Sequence, residues 1–116
     1  MIRLHKDMLV DVRENMRGGA GKIQISHIFK KDELGGKCRL FAKITIQPGD
    51  SIGFHEHHDE EEVFYVISGN AAVDDAGTSK EVGPGDAILT GGGKGHAIEN
   101  IGTTPLELVA VILLYN

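Results

Sequence analysis

From residue 22 onward the chain alternates apolar and polar side chains. Lys22-Ile23-Gln24-Ile25-Ser26-His27-Ile28-Phe29 has the two-residue period of a strand with one face buried. Residues 39–47 repeat the pattern, and further short strands are predicted over 62–67, 71–73, 80–82, 87–89, 96–101 and 106–114. Turn residues separate them: Pro48-Gly49-Asp50, Ser68-Gly69-Asn70, Asp74-Asp75-Ala76-Gly77 and Gly83-Pro84-Gly85-Asp86. Short strands at this spacing make an all-β sandwich or small barrel.

Two segments break the alternation. Residues 63–67 and 108–114 are apolar at nearly every position, so both faces of those strands need cover. One face belongs to the core, and the other lies under the N-terminal segment or a second subunit. Ahead of the strands, Met8, Val12 and Met16 share a helical face that Gly18-Gly19 would stop, which predicts a short helix over 7–17 or, equally, an extended arm. Residues 1–21 are read as an N-terminal arm and 22–116 as the barrel domain.

Composition changes the picture only at a few points. The 116 residues are one ordinary domain, and the 16 glycines suit many tight turns. A net charge of −5 argues against an electrostatic grip on nucleic acid. The single Cys38 has no disulfide partner within the chain. Neither an apolar leader nor a run long enough to span a bilayer is visible, so a cytoplasmic protein without membrane contact is expected.

The chemistry is concentrated in Gly53-Phe54-His55-Glu56-His57-His58-Asp59-Glu60-Glu61-Glu62. On a strand, His55 and His57 point to one side while Glu56 and His58 point to the other. Asp59 to Glu61 read as a solvated loop. Glu62 differs, because it shares a face with apolar Phe64 and Val66, where a carboxylate is costly unless paired or metal-bound. His96 opens another alternating strand and becomes the natural fourth member. Two or three imidazoles with one carboxylate suit a first-row divalent ion. His5, His27, Cys38, Arg39, Lys43 and Lys94 are given ordinary surface or packing roles.

These residues resemble the cupin motifs. The first, G-x5-H-x-H-x3,4-E-x6-G, is matched by Gly49, His55, His57, Glu62 and Gly69. The second, G-x5-P-x-G-x2-H-x3-N, is matched by Gly85, Gly93, His96 and Asn100, with Gly91 in place of the proline. The resemblance implies a double-stranded β-helix, the cupin jelly-roll barrel, holding one divalent transition metal (Mn, Fe, Ni or Zn) on His55, His57, Glu62 and His96. It also implies a homodimer built sheet on sheet, in keeping with the doubly apolar strands.

For function, the resemblance implies a metalloenzyme acting on a small polar metabolite, a carboxylate or a sugar, by decarboxylase, dioxygenase or isomerase-type chemistry. The alternative is a metal-dependent binding or sensor module without turnover. No catalytic acid, base or arginine beyond the metal ligands is singled out.

Overall fold

In the computed structural model, which describes residues 1–116, the patterned segments become ten strands. They are β1 (Leu9–Glu14), β2 (Lys22–Phe29), β3 (Cys38–Ile46), β4 (Ser51–Glu56) and β5 (Glu60–Ser68), then β6 (Ala71–Asp75), β7 (Thr78–Val82), β8 (Ala87–Gly91), β9 (Gly95–Asn100) and β10 (Leu106–Leu114). A six-stranded sheet runs β1-β2-β3-β10-β5-β8 and a four-stranded sheet runs β4-β9-β6-β7, with antiparallel pairing throughout. This is the expected all-β double-stranded β-helix.

The alternation reads directly as burial. Ile23, Ile25, Ile44, Ile46, Phe64, Val66, Leu106 and Leu108 point inward from the larger sheet, and Ile52, Val73 and Ile98 meet them from the smaller one. Asn100 is one of the buried polar residues and joins strands at one end of this core. Its side-chain amide donates to the carbonyls of Ile46 and Thr104 at 2.8 Å each, tying β9 to the ends of β3 and the loop before β10.

The N-terminal segment takes the extended alternative and not the helix. Leu9 to Glu14 pair residue for residue with β2, and only single 3-10 turns flank them at His5–Asp7 and Met16–Gly18. An isolated helix this short is marginal, whereas an unpaired edge of β2 offers every backbone group of β1 a partner. β1 is inverted relative to its neighbours, however. Asp11 and Arg13 lie opposite Ile25 and Ile23 on the concave side, while Val10 and Val12 face outward and are exposed.

The outer face of the large sheet is apolar, as the unbroken strands require. Phe41, Val111, Val63 and Leu89 are register neighbours across four strands, and Val109, Tyr65 and Ala87 form the adjoining row. The N-terminal segment does not cover this surface, since Tyr65 is 49% and Leu89 62% exposed. Arg3 reaches only the far margin, where it lies over the Phe29 ring and pairs with Glu33. No helix is long and apolar enough to cross a membrane.

Candidate metal centre

β4 approaches the barrel mouth with an irregularity: its register against β9 shifts between Ile52 and His55. The shift lets Ile52 and His55 both face inward although three positions apart, and the period of two resumes after it. His57 lies just past the end of β4 and is buried, while Glu56 and His58 turn outward and pair with each other at 3.2 Å. Glu62 enters from β5 and His96 from β9, directly opposite His55 in the register. Four side chains from three strands and one loop thereby converge.

The Nε2 atoms of His57 and His55 each stand 3.2 Å from Nε2 of His96. Glu62 Oε1 is 3.0 Å from the Nε2 of both His57 and His96, and 4.0 Å from that of His55. All four donor atoms lie within 4.8 Å of one another. Donors ~2.1 Å from one ion stand roughly 3.0 Å apart at right angles and ~4.2 Å apart across it. The cluster has the size of an octahedral ligand set with two positions open, so the residues present fit a first-row divalent ion.

Hydrogen bonds on the far side of the rings strengthen that fit. His55 Nδ1 donates to the Gly53 carbonyl at 2.8 Å and His57 Nδ1 to Glu60 Oε2 at 2.6 Å. Both bonds place the ring proton on Nδ1 and leave the Nε2 lone pair facing the cluster. Crowded lone pairs and a carboxylate repel unless a cation or proton sits among them. His96 stacks on Phe64 at 4.7 Å, and its buried Nδ1 has no partner.

The electrostatics follow from burial and these contacts. Burial favours neutral His55 and lowers its pKa, against the Gly53 bond. His57 goes the other way, raised first by its hydrogen bond with Glu62 and further by Glu60. Burial alone would raise Glu62, but His57 and His96 outweigh it and hold the carboxyl below its ordinary value. Glu60 is held down to about 2, chiefly by Arg39 and in part by His57.

The solvated loop expected at 59–61 is corrected at Glu60. Its carboxylate accepts from Arg39 Nε at 2.7 Å and Nη2 at 2.8 Å while also holding His57. Arg39 is thus no free surface cation. The missed signal is the spacing of three between His57 and Glu60, hidden by the acidic run around it. Gly91, where the motif has proline, lies against β5 so closely that a Cβ would stand 2.8 Å from the Glu60 carbonyl oxygen.

Beside the cluster opens a cavity of about 410 Å³, walled by His55, His57 and Glu62 on one side and by β1 and the turn after it on the other. Arg13, Glu14 and Arg17 of that wall were given no role from the sequence. His27 sits at its rim, 2.8 Å from Asp11.

Comparison with known proteins places this geometry in context. Residues 42–112 match the cupin domain family. Over 100 residues the chain is 41% identical to the oxalate-binding protein of Thermotoga maritima, covering 86% of this chain and 83% of that one. The crystal structure of a predicted oxalate decarboxylase from Thermotoga maritima superposes with a TM-score of 0.93 and 37% identity, covering 98% and 99% of the two chains. The polyketide cyclase RemF of Streptomyces resistomycificus shares the fold alone, with a TM-score of 0.76 at 22% identity over 100% of this chain and 80% of its own. Motifs, barrel and matched family model agree: this chain belongs to the cupins and is a small cupin domain.

Proposed function

We propose that the protein binds one divalent transition-metal ion through His55, His57, Glu62 and His96, and with it captures a small carboxylate, oxalate being the first to test. The observation that carries this reading is the convergence of three imidazole Nε2 atoms and one carboxylate oxygen beside a cavity that His55, His57 and Glu62 line. A bound ion would supply Lewis-acid polarisation of a coordinated carboxylate. The chain's own contribution is orientation. Gly53 and Glu60 fix two imidazoles, and Phe64 holds the third by stacking. Ile25, Ile44 and Ile112 line the same cavity and give it an apolar side.

The named function of the Thermotoga relative supports the carboxylate part of the reading. The test is calorimetry with oxalate on protein loaded in turn with Mn, Fe, Ni or Zn, alongside assay of carbon dioxide release. Metal-dependent oxalate binding supports the reading. Gas release would make the protein a decarboxylase, and binding without it a binding module. Absence of both metal and oxalate binding would overturn the proposal.

The same reading includes a homodimer. Rows of apolar side chains on the outer sheet face form a surface that stays exposed on a single chain, and Lys43–Glu107 at 3.4 Å supplies a polar edge. A two-fold pairing of that face with itself is the simplest cover.

A further inference from the structure

Two arginines in the cavity wall have no carboxylate partner. Arg39 of the same wall is paired with Glu60, and His27 stands 2.8 Å from Asp11. Glu14 of the same wall is drawn toward Lys22 at 3.6 Å. Arg13 and Arg17 make no ion pair, and both line the cavity with His55, His57 and Glu62. The chain carries a net −5, so leaving two guanidinium groups unpaired in one concavity runs against its overall charge.

The backbone is arranged to put them there. In a strand that adds to a barrel, apolar residues ordinarily face in, and a slip of one residue would turn Val10 and Val12 into the cavity. β1 has the opposite register, sending Asp11 and Arg13 inward. Beyond it the chain turns through Asn15 and Arg17, both left-handed at φ 49° and 55°. Asparagine tolerates that region, but arginine there costs energy that the surroundings must offset.

The offset is visible on β4. Gly19 and Gly53 pack backbone on backbone, so that a Cβ on Gly53 would stand 2.9 Å from the Gly19 nitrogen. Ser51 N donates to the Ala20 carbonyl and Ala20 N to Ser51 Oγ, each at 2.9 Å. The turn is therefore clamped to the strand that carries His55, and Arg17 borders His55 on the outer rim as well.

Resting on the metal-and-carboxylate reading above, we propose that Arg13 and Arg17 form an anion subsite of the same cavity, and that the ligand is a compact dianion. One charged end would engage the His–Glu cluster and the other the guanidinium pair, whose planar forks suit carboxylate and phosphate alike. Short dicarboxylates and small phosphate esters share that chemistry, and about 410 Å³ accommodates either.

Calorimetry on Mn-loaded protein with oxalate, inorganic phosphate and acetate tests the subsite, with metal content measured on each sample. Oxalate or phosphate should bind at least ~tenfold tighter than acetate, in keeping with charged hydrogen bonds. The double variant Arg13→Gln/Arg17→Gln should lose roughly that factor for the dianion, hold metal like the parent, and show a weaker salt dependence. Arg17→Lys should recover part of the loss. Lys80→Gln, which removes an exposed charge on β7, should change nothing. A preference for oxalate would identify the dicarboxylate source, and one for phosphate the ester. A double variant that binds the dianion as tightly as the parent overturns the subsite and leaves the metal-and-carboxylate reading standing. A metal-loaded parent that binds neither dianion overturns both.

Discussion

Nδ1 of His57 lies 2.6 Å from Glu60, while Nε2 of the same ring lies 3.0 Å from Glu62. One imidazole is thus gripped by two carboxylates with different duties. Glu62 shares the cluster, and Glu60 sets the ring's tautomer and orientation from behind, itself anchored by Arg39. Glu60→Gln keeps the shape but loses the charge-assisted bonds to both His57 and Arg39. Partners of this kind are worth roughly 10- to 100-fold in metal affinity. The variant should fill with metal only at correspondingly higher concentration, measured by competition with a chelating dye. Equal affinity in parent and variant would leave Glu60 without a role in the site.

Removal of a ligand itself should be more severe. His57→Ala should leave a folded barrel, since the ring belongs to the mouth and the hydrophobic core lies below it. Its metal content should fall to a small fraction of the parent's. Glu56→Ala and His58→Ala serve as comparison, because both side chains point outward. Full metal occupancy in His57→Ala, or loss in His58→Ala, would show that the ligand set has been misread.

Much of this was legible in the residues. The alternation located β2, β3 and β9 because each has one face on a shared core, so period and burial coincide, while β5 and β10 stood out as apolar runs between turn residues. The parity of His55, Glu56, His57 and His58 also held, although β4 stops before His57, because the bulge lies ahead of His55 and the alternation continues past the strand end. β1 was obscured for a physical reason. Asp11 and Arg13 face inward while Val10 and Val12 face outward, so hydrophobicity there reports the wrong side. Glu60 was hidden differently: it sits among Asp59, Glu61 and Glu62, and only the fold brings Arg39 of β3 beside it. A solvated acid and a half-buried orienting one look alike until the partner strand is known.

The outer face of the large sheet predicts assembly. Tyr65 stands at its centre, between Val109 and Ala87 on the neighbouring strands. Sedimentation of the parent at micromolar concentration should give twice the chain mass of 12.5 kDa. Tyr65→Glu places a charge where two such faces would meet, and should yield the single-chain mass with the fold intact. A parent that sediments at 12.5 kDa would remove the dimer.

Gly53 tests the clamp between β4 and the turn after β1. A methyl group there would meet the Arg17 carbonyl carbon and the Gly19 nitrogen at 2.9 Å, and backbone cannot swing aside as a side chain can. Gly53→Ala should destabilise by about 1–3 kcal/mol, as overpacking does. Gly36→Ala is the counterpart, with nothing within 4 Å of the added carbon. It should be neutral or slightly stabilising through the unfolded chain. Thermal melts of the two variants check this, and equal melting temperatures would mean that the turn is free to move off β4.

Acid stability offers the last test, in the metal-free protein. The Glu60 carboxyl is lowered from 4.5 to about 2 in the fold, with Arg39 as the largest cause. A depressed carboxyl contributes stability that is fully present above its unfolded value and is lost as pH falls toward its folded value. For Glu60 the window therefore runs from about 4.5 down to about 2. Glu62 is also lowered and adds loss in the same direction. Glu60→Gln cannot bind the extra proton, so its own share of the slope should vanish while that of Glu62 remains. Urea midpoints measured across this window should fall less steeply for Glu60→Gln than for the parent, starting from a lower value at neutral pH. Parallel curves would mean that the Arg39–Glu60–His57 chain contributes nothing to the fold, and that Glu60 is as solvated as its acidic neighbours.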